Sequence, residues 1–261
     1  MSRRAGLSRA QLPLGTMAVT LAPHDPYAEL GTVYDDWCRS VTEDIDFYVD
    51  LALRSGGPVL EIGVGSGRIA VPTALAGVPV VGVDRSEAML DLAWAHALPH
   101  RAPLRLFCGD MRDLPELGRF PLITVPFRAL LHLRDDEERL GVLRSLAERL
   151  EPGGTLAFDV FHPDRLDIEE THGRWLEREP GILERAEWHP ADRHLTLEVR
   201  ADGREAVMQL WWAEPRTWAG LLSQAGFDDV ECYGSFDRAP LHIDGPDSVW
   251  VARASAAVQA G

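Results

Sequence analysis

The segment Glu61-Ile62-Gly63-Val64-Gly65-Ser66-Gly67-Arg68 follows a short apolar run, Val59-Leu60-Glu61-Ile62, and leads into a second apolar stretch reaching Leu75. Three glycines in five residues let the backbone turn sharply and approach a ligand closely. A buried strand, a glycine turn and a helix in that order make the first half of a strand-helix-strand unit, and such a crossover commits the next strand to a parallel neighbour. This one segment rules out an all-helical bundle or an all-antiparallel sandwich for the surrounding domain.

The rest of the chain repeats the alternation. Leu30 to Leu53 has helical apolar spacing and is broken by Ser55-Gly56-Gly57-Pro58; strands are expected at Val78 to Val83, Leu104 to Cys108, Leu122 to Val125 and Thr155 to Val160. Helices are expected at Ser86 to Leu98 and Asp135 to Leu150, the second ended by Pro152-Gly153-Gly154. From Phe161 the period changes: His194 to Arg200 alternates at period two, and Asp202-Gly203 supplies a hairpin turn before Ala206 to Trp212. A helix over Pro215 to Gly226 and strands at Val230 to Tyr233 and Val249 to Ala252 close the pattern. The expected fold is α/β, a doubly wound, mostly parallel, seven-stranded Rossmann-like sheet with an antiparallel insertion after the fifth strand. Its parts are a flexible leader (1–24), N-terminal helices with the cofactor-binding part (25–160), and the insertion as substrate pocket or lid (161–214). A C-terminal helix with strands completing the sheet (215–254) and a tail (255–261) come last.

Composition narrows the partners. With 26 Lys and Arg against 41 Asp and Glu the formal charge is −15, which repels phosphate backbones and anionic lipid. No apolar run approaches the roughly 20 residues of a membrane span. Cys38, Cys108 and Cys232 are far apart and in no metal-like spacing, so no metal site is expected and a reducing cytoplasm is the simplest setting. Ser2-Arg3-Arg4 is similar to the start of a twin-arginine signal, but Pro13, Gly15 and Thr16 break the apolar stretch from Leu12 to Ala22; a leader is expected there, with Met17 as an alternative start.

The glycine turn alone leaves the cofactor open. In the dinucleotide pattern G-x-G-x-x-G the third glycine falls at position 68, which here is Arg68, whereas Gly67 lies one residue earlier. Asp84 ends the second strand about 20 residues on, where a carboxylate accepts ribose hydroxyls in nucleotide-binding sheets. Glu61 before the first glycine, Gly109-Asp110-Met111 after the third strand and Glu151-Pro152-Gly153-Gly154 before the fifth complete a set that resembles the class I S-adenosylmethionine-dependent methyltransferases, in a bacterial small-molecule branch, from Tyr27 to Ala252. The stretches Pro126 to Leu133 and Tyr233 to Asp237 also look like that branch. The resemblance implies that Glu61, Gly63, Gly65 and Gly67 cradle the methionine part of the cofactor and that Asp84 holds the ribose. Met89 would pack under the adenine, Asp110 and Met111 would meet its edge, and Tyr34 and Tyr27 would close over cofactor and substrate. For the tyrosines the alternative is ordinary helix packing; for Glu61 it is a cap or a pairing with an arginine, and for Gly65 and Gly67 tight packing.

Methyl transfer from a sulfonium is an in-line displacement that orientation and exclusion of water can largely drive. His132, a lone imidazole in Leu130-Leu131-His132-Leu133, is the expected catalytic residue, as proton acceptor or substrate anchor titrating near neutrality, with packing as the alternative. Arg128, Trp175 and Trp188 are expected acceptor contacts. Five of the eight tryptophans (Trp175, Trp188, Trp211, Trp212 and Trp218) fall in or just after the insertion, suiting either a buried sheet face or a lid. No Asn/Asp-Pro-Pro-Tyr segment and no Pro-Cys nucleophile stand after the fourth strand, so DNA bases and protein glutamine are poor acceptors. The expected reaction moves a methyl group to nitrogen or oxygen of a small molecule, or to a peptide N-terminal amine, by a monomer or homodimer. A nicotinamide-dependent oxidoreductase or a noncatalytic cofactor-binding scaffold are the other readings.

Overall fold

The computed structural model describes Ser8–Arg9, 25–241 and 247–255. The expected leader lies outside the described residues except for β1, Ser8–Arg9, and the expected tail except for Ser255.

The expected single helix of Leu30 to Leu53 is three pieces: α1 (Pro26–Leu30), α2 (Val33–Trp37) and α3 (Ile45–Ser55). Asp25 caps α1 by accepting the Tyr27 N–H, and Gly31 ends it at φ +53°. The apolar spacing continues across that break because all three pieces turn apolar residues inward, which is why the sequence reads as one helix. Next come β2 (Val59–Ile62), α4 (Ala70–Leu75), β3 (Val80–Asp84), α5 (Glu87–Ala97) and β4 (Leu104–Cys108). Beyond them lie β5 (Phe120–Val125), α6 (Asp136–Glu148) and β6 (Leu150–Phe161).

The main sheet has the order β1-β4-β3-β2-β5-β6 and continues with β12 (Asp247–Ala254) and β11 (Phe227–Tyr233). The seven expected strands are thus present, with the two-residue β1 added in parallel to β4. All run parallel except β12, which is antiparallel to both β6 and β11 and sits one place in from the edge. Alternation along β2 sends Leu60 and Ile62 to the face covered by α6 and α8 (Pro215–Gln224), and Val59 to the face covered by α3. Chain order reverses at β2, which pairs with β3 on one side and β5 on the other, so a crevice opens at the carboxyl ends of β2 and β5.

The antiparallel part is a separate four-stranded sheet rather than a hairpin on the main one. After the short α7 (Arg165–Thr171) it comprises β7 (Trp175–Glu179), β8 (Ile182–His189), β9 (His194–Ala201) and β10 (Arg204–Trp211), in the order β10-β9-β8-β7. Asp202 and Gly203 turn the expected hairpin at φ +50° and +73°. β7 and β8 escape sequence reading because charged residues such as Arg185 and Glu187 occupy their outer positions and blur the apolar alternation. α1 packs against β10, which places this sheet across the mouth of the crevice.

Candidate active site

The glycine turn succeeds β2 because Gly63 and Val64 both donate to the Val83 carbonyl, folding the chain back over β3. Gly63 and Gly65 have φ of +68° and +53°. A Cβ on Gly63 would lie 2.8 Å from the Ala129 Cβ, while one on Gly65 would meet nothing nearer than the Tyr34 hydroxyl at 3.7 Å. Both line a cavity of about 340 Å³ at the switch point. Gly67 does not: a Cβ there would lie 3.0 Å from Val71 and 3.3 Å from Ala93, so this glycine serves the packing of α4 against α5. Glu61 likewise lies behind the turn. It is 2% exposed, accepts a backbone N–H from Ala70 at the start of α4, and is pushed up to about 8 by burial against the opposing charge of Arg68. The resemblance sets Glu61 and Gly67 against the cofactor; neither is among the residues that line this cavity.

Arg68, the residue that breaks the dinucleotide pattern, forks onto the Asp44 carboxylate at 2.7 and 2.5 Å, donates to the Val41 carbonyl at 3.1 Å and lies 4.7 Å over the Phe127 ring. It ties the N-terminal segment to the glycine turn.

Asp84 closes the cavity at the end of β3. Its oxygens accept the Gly65 N–H at 2.8 Å and the Ser86 N–H at 2.9 Å, which still leaves lone pairs for two hydroxyls. Ser86 caps α5 through the Met89 N–H and so sets Met89, 1% exposed, in the cavity floor. Asp110, paired with Arg112 at 3.2 Å, Met111, Tyr27, Tyr34 and His132 line it too. Three residues of β10, Val207, Gln209 and Trp211, complete the wall, none of which the sequence pattern marks as part of it. Open glycine backbone, a carboxylate with spare acceptors and a thioether floor fit an adenosyl cofactor, within the roughly 300–1,000 Å³ typical of ligand cavities.

His132 ends a 3-10 turn, Ala129–His132, just after β5. Its Nε2 lies 2.7 Å from the Tyr27 hydroxyl, and the ring also bonds the Gln209 backbone. Burial, reinforced by the Arg85 and Arg112 charges, pushes its pKa down to about 4. The near-neutral titration expected from sequence is therefore corrected: the ring is neutral at physiological pH. The Tyr27 phenol is held far above its ordinary value by burial, so the phenol donates and Nε2 accepts.

A second cavity, of about 360 Å³, adjoins the first, sharing Tyr27, Phe127 and His132 with it. Arg128, Trp188, Glu184, Asp167, Met208 and Leu210 are among its walls. Arg128 pairs with Asp247 at 2.8 Å and lies over Phe161, and the Trp188 indole donates to Thr171 at 2.7 Å. Trp175 is in neither cavity. It lies beside the Arg200 and Arg185 guanidiniums, at 4.2 and 5.0 Å, so its expected acceptor contact is corrected to a cation-π contact. Trp212 and Trp218 are core, 5% and 0% exposed.

Asp159 is a residue of the site that motif reading misses. Near the carboxyl end of β6 it accepts from the Tyr48 hydroxyl at 2.7 Å and from the backbone N–H groups of Phe127 at 2.8 Å and Arg128 at 3.1 Å. These two residues have φ of +53° and +63°, a region that costs non-glycine residues energy unless the surroundings hold them. The carboxylate fixes the turn that places Phe127 between the cavities. A signal does exist: a lone acid inside the apolar run Phe158-Asp159-Val160 is a buried charge that needs partners. Among the described residues no cluster of His, Cys, Asp or Glu is placed to hold a metal, and no helix is long and apolar enough to cross a membrane.

Comparison with known proteins agrees with this geometry. Residues 59–154 match the family model described as a methyltransferase domain. A protein of Geobacillus sp. (strain WCH70) whose name assigns it to the methyltransferases is 30% identical over 223 residues, 79% of this chain and 87% of that one. The CcbJ methyltransferase from Streptomyces caelestis superposes with a TM-score of 0.76 at 28% identity, covering 89% of this chain and 100% of that one. S-adenosylmethionine-bound CalS10, described as an amino pentose methyltransferase from Micromonospora echinaspora, shares the fold with a TM-score of 0.62 at 22% identity, covering 85% and 97%. A sequence likeness that extends well beyond the glycine turn, on a cavity shaped for an adenosyl group, makes this chain a member of the class I S-adenosylmethionine-dependent methyltransferases.

Proposed function

We propose that the chain methylates an amine nitrogen of a small, partly apolar acceptor seated in the second cavity. S-adenosylmethionine supplies a methyl carbon made electrophilic by its sulfonium. The amine lone pair forms a bond to that carbon as the carbon–sulfur bond breaks, leaving a thioether and an ammonium that then sheds a proton. Gly63, Gly65 and Asp84 hold the donor, Trp188, Met208 and Leu210 hold the apolar part of the acceptor, and Tyr27 with His132 stands at the junction.

The observation that carries nitrogen over oxygen is the engagement of the buried His132 ring, whose Nε2 lies 2.7 Å from the Tyr27 hydroxyl while the ring also bonds the Gln209 backbone, with burial lowering its basicity. A base with a pKa of about 4 is poorly matched to a hydroxyl group. A neutral amine needs no base to attack, only orientation and a neutral acceptor for a hydrogen bond. His132 and Tyr27 supply that without placing a positive charge beside the sulfonium. On the acceptor side the carboxylates Asp167, Glu184 and Asp247 outnumber the guanidiniums of Arg128 and Arg178, a balance that favours a basic ligand.

Incubation with methyl-labelled S-adenosylmethionine and pools of small amines, alcohols and peptides, with tandem mass spectrometry of the products, tests the reading. The expected product carries the label on nitrogen of a small molecule. Label on oxygen contradicts the role given to His132; label on a peptide N-terminus keeps the chemistry but replaces the acceptor class.

A further inference from the structure

β10 is an edge strand of the smaller sheet, and its side chains alternate between the two cavities: Val207, Gln209 and Trp211 line the first, Met208 and Leu210 the second. This is the period of two expected of any strand, used here as a partition. The insertion therefore serves both ligands, where the sequence suggests the acceptor side alone.

Trp211 shares the first cavity with Asp110 and Met111, and a chain of contacts joins them. Arg112 bonds Asp110 and donates to the His132 carbonyl at 2.9 Å. Two residues on, the Arg134 guanidinium lies over the Trp211 ring, 5.6 Å from its centre, and Arg134 also lines the cavity. Buried Arg139 donates to the carbonyls of both Leu133 and Trp211, at 3.2 and 2.8 Å, pinning the strand to the turn after β5. The ring is backed by His194, stacked at 4.9 Å and 23°. With an imidazole behind the indole and a guanidinium over it, the group is a layered stack, and nucleobases stack on guanidinium planes as they do on aromatic rings.

The geometry points to Trp211, with Arg134, as the wall against which the adenine of the cofactor lies, a contact contributed by the insertion rather than by the main sheet. The same strand bonds His132 through the Gln209 backbone, so a cofactor that settles β10 also settles the ring at the junction. The inference rests on adenine lying beside Asp110.

Calorimetry on the full chain tests it with S-adenosylhomocysteine and with S-ribosylhomocysteine, which keeps the ribose and lacks the base. Trp211→Ala is expected to weaken the first by roughly tenfold or more, the scale of one base-on-aromatic contact, and to leave the second unchanged. Trp211→Phe should restore most of the loss. Because Arg139 grips the Trp211 backbone rather than its ring, these variants keep the strand anchored; a Trp211→Ala protein that does not fold leaves Trp211→Phe to be read through tryptophan fluorescence, whose response to S-adenosylhomocysteine should shrink while affinity is kept. An unchanged fluorescence response in Trp211→Phe overturns the inference, as does equal loss of both ligands in Trp211→Ala, which would make Trp211 scaffolding. Wild-type affinity in Trp211→Ala beside a weakened Asp110→Ala overturns the Trp211 contact alone; wild-type affinity in both overturns the adenine placement as well.

Discussion

Asp84 and His132 carry different loads, and single substitutions separate them. Asp84→Ala should weaken cofactor binding by about 1.5–3 kcal/mol, the scale of hydrogen bonds to a charged group, as measured by calorimetry on protein that melts normally. Unchanged affinity would remove Asp84 from the ribose. His132→Ala should leave S-adenosylhomocysteine affinity nearly unchanged and lower kcat/KM roughly 10²-fold. Since the ring is neutral above pH about 4, the rise of rate with pH should track the acceptor amine and persist in the mutant; a limb near neutrality that vanishes in His132→Ala would restore His132 as a general base. Glu61 gives a stability prediction. Its folded pKa of about 8 exceeds the ordinary 4.5, so the native state holds a proton that the unfolded chain releases, and stability falls as pH climbs between those values. His132, lowered from 6.5 to about 4, acts oppositely only below 6.5. The melting temperature should therefore fall between pH 6.5 and 8, and Glu61→Gln should flatten that fall.

At the scale of elements, the turn after β5 is the part most dependent on one distant group. Asp159→Asn replaces one acceptor oxygen with a donor, so the side chain can no longer take the N–H groups of both Phe127 and Arg128. Methyl transfer should drop more than cofactor affinity; equal losses would mean that the turn supports the sheet rather than the junction. This turn is also where the sequence stops being legible. Gly63, Gly65, Asp84, Met89, Asp110 and Met111, singled out in the sequence, line one cavity, because glycine turns, strand ends and helix caps leave local marks. Phe127 and Arg128 at positive φ leave none, since ordinary residues adopt that conformation only when a partner 31 or 32 positions away holds them. β7 and β8 are hidden by their charged outer faces, and the break at Gly31 by apolar spacing that continues across it.

At the scale of the whole molecule, the described residues form a mostly parallel sheet with the first cavity at its mouth and a smaller antiparallel sheet laid over that mouth, and the two cavities meet at Tyr27, Phe127 and His132. Arg68 ties the N-terminal segment to this junction, because it grips the Asp44 carboxylate beside α3 while lying over Phe127. The same Arg68 stands where a nicotinamide-binding turn has its third glycine, so the residue that departs from that pattern is also the one that ties the N-terminal segment to the glycine turn. Titration calorimetry with S-adenosylmethionine, S-adenosylhomocysteine and NAD tests the choice of cofactor most directly: the first two should bind with a heat that saturates at one site and NAD should give none, whereas saturable NAD binding with no response to the methyl donor would contradict the account.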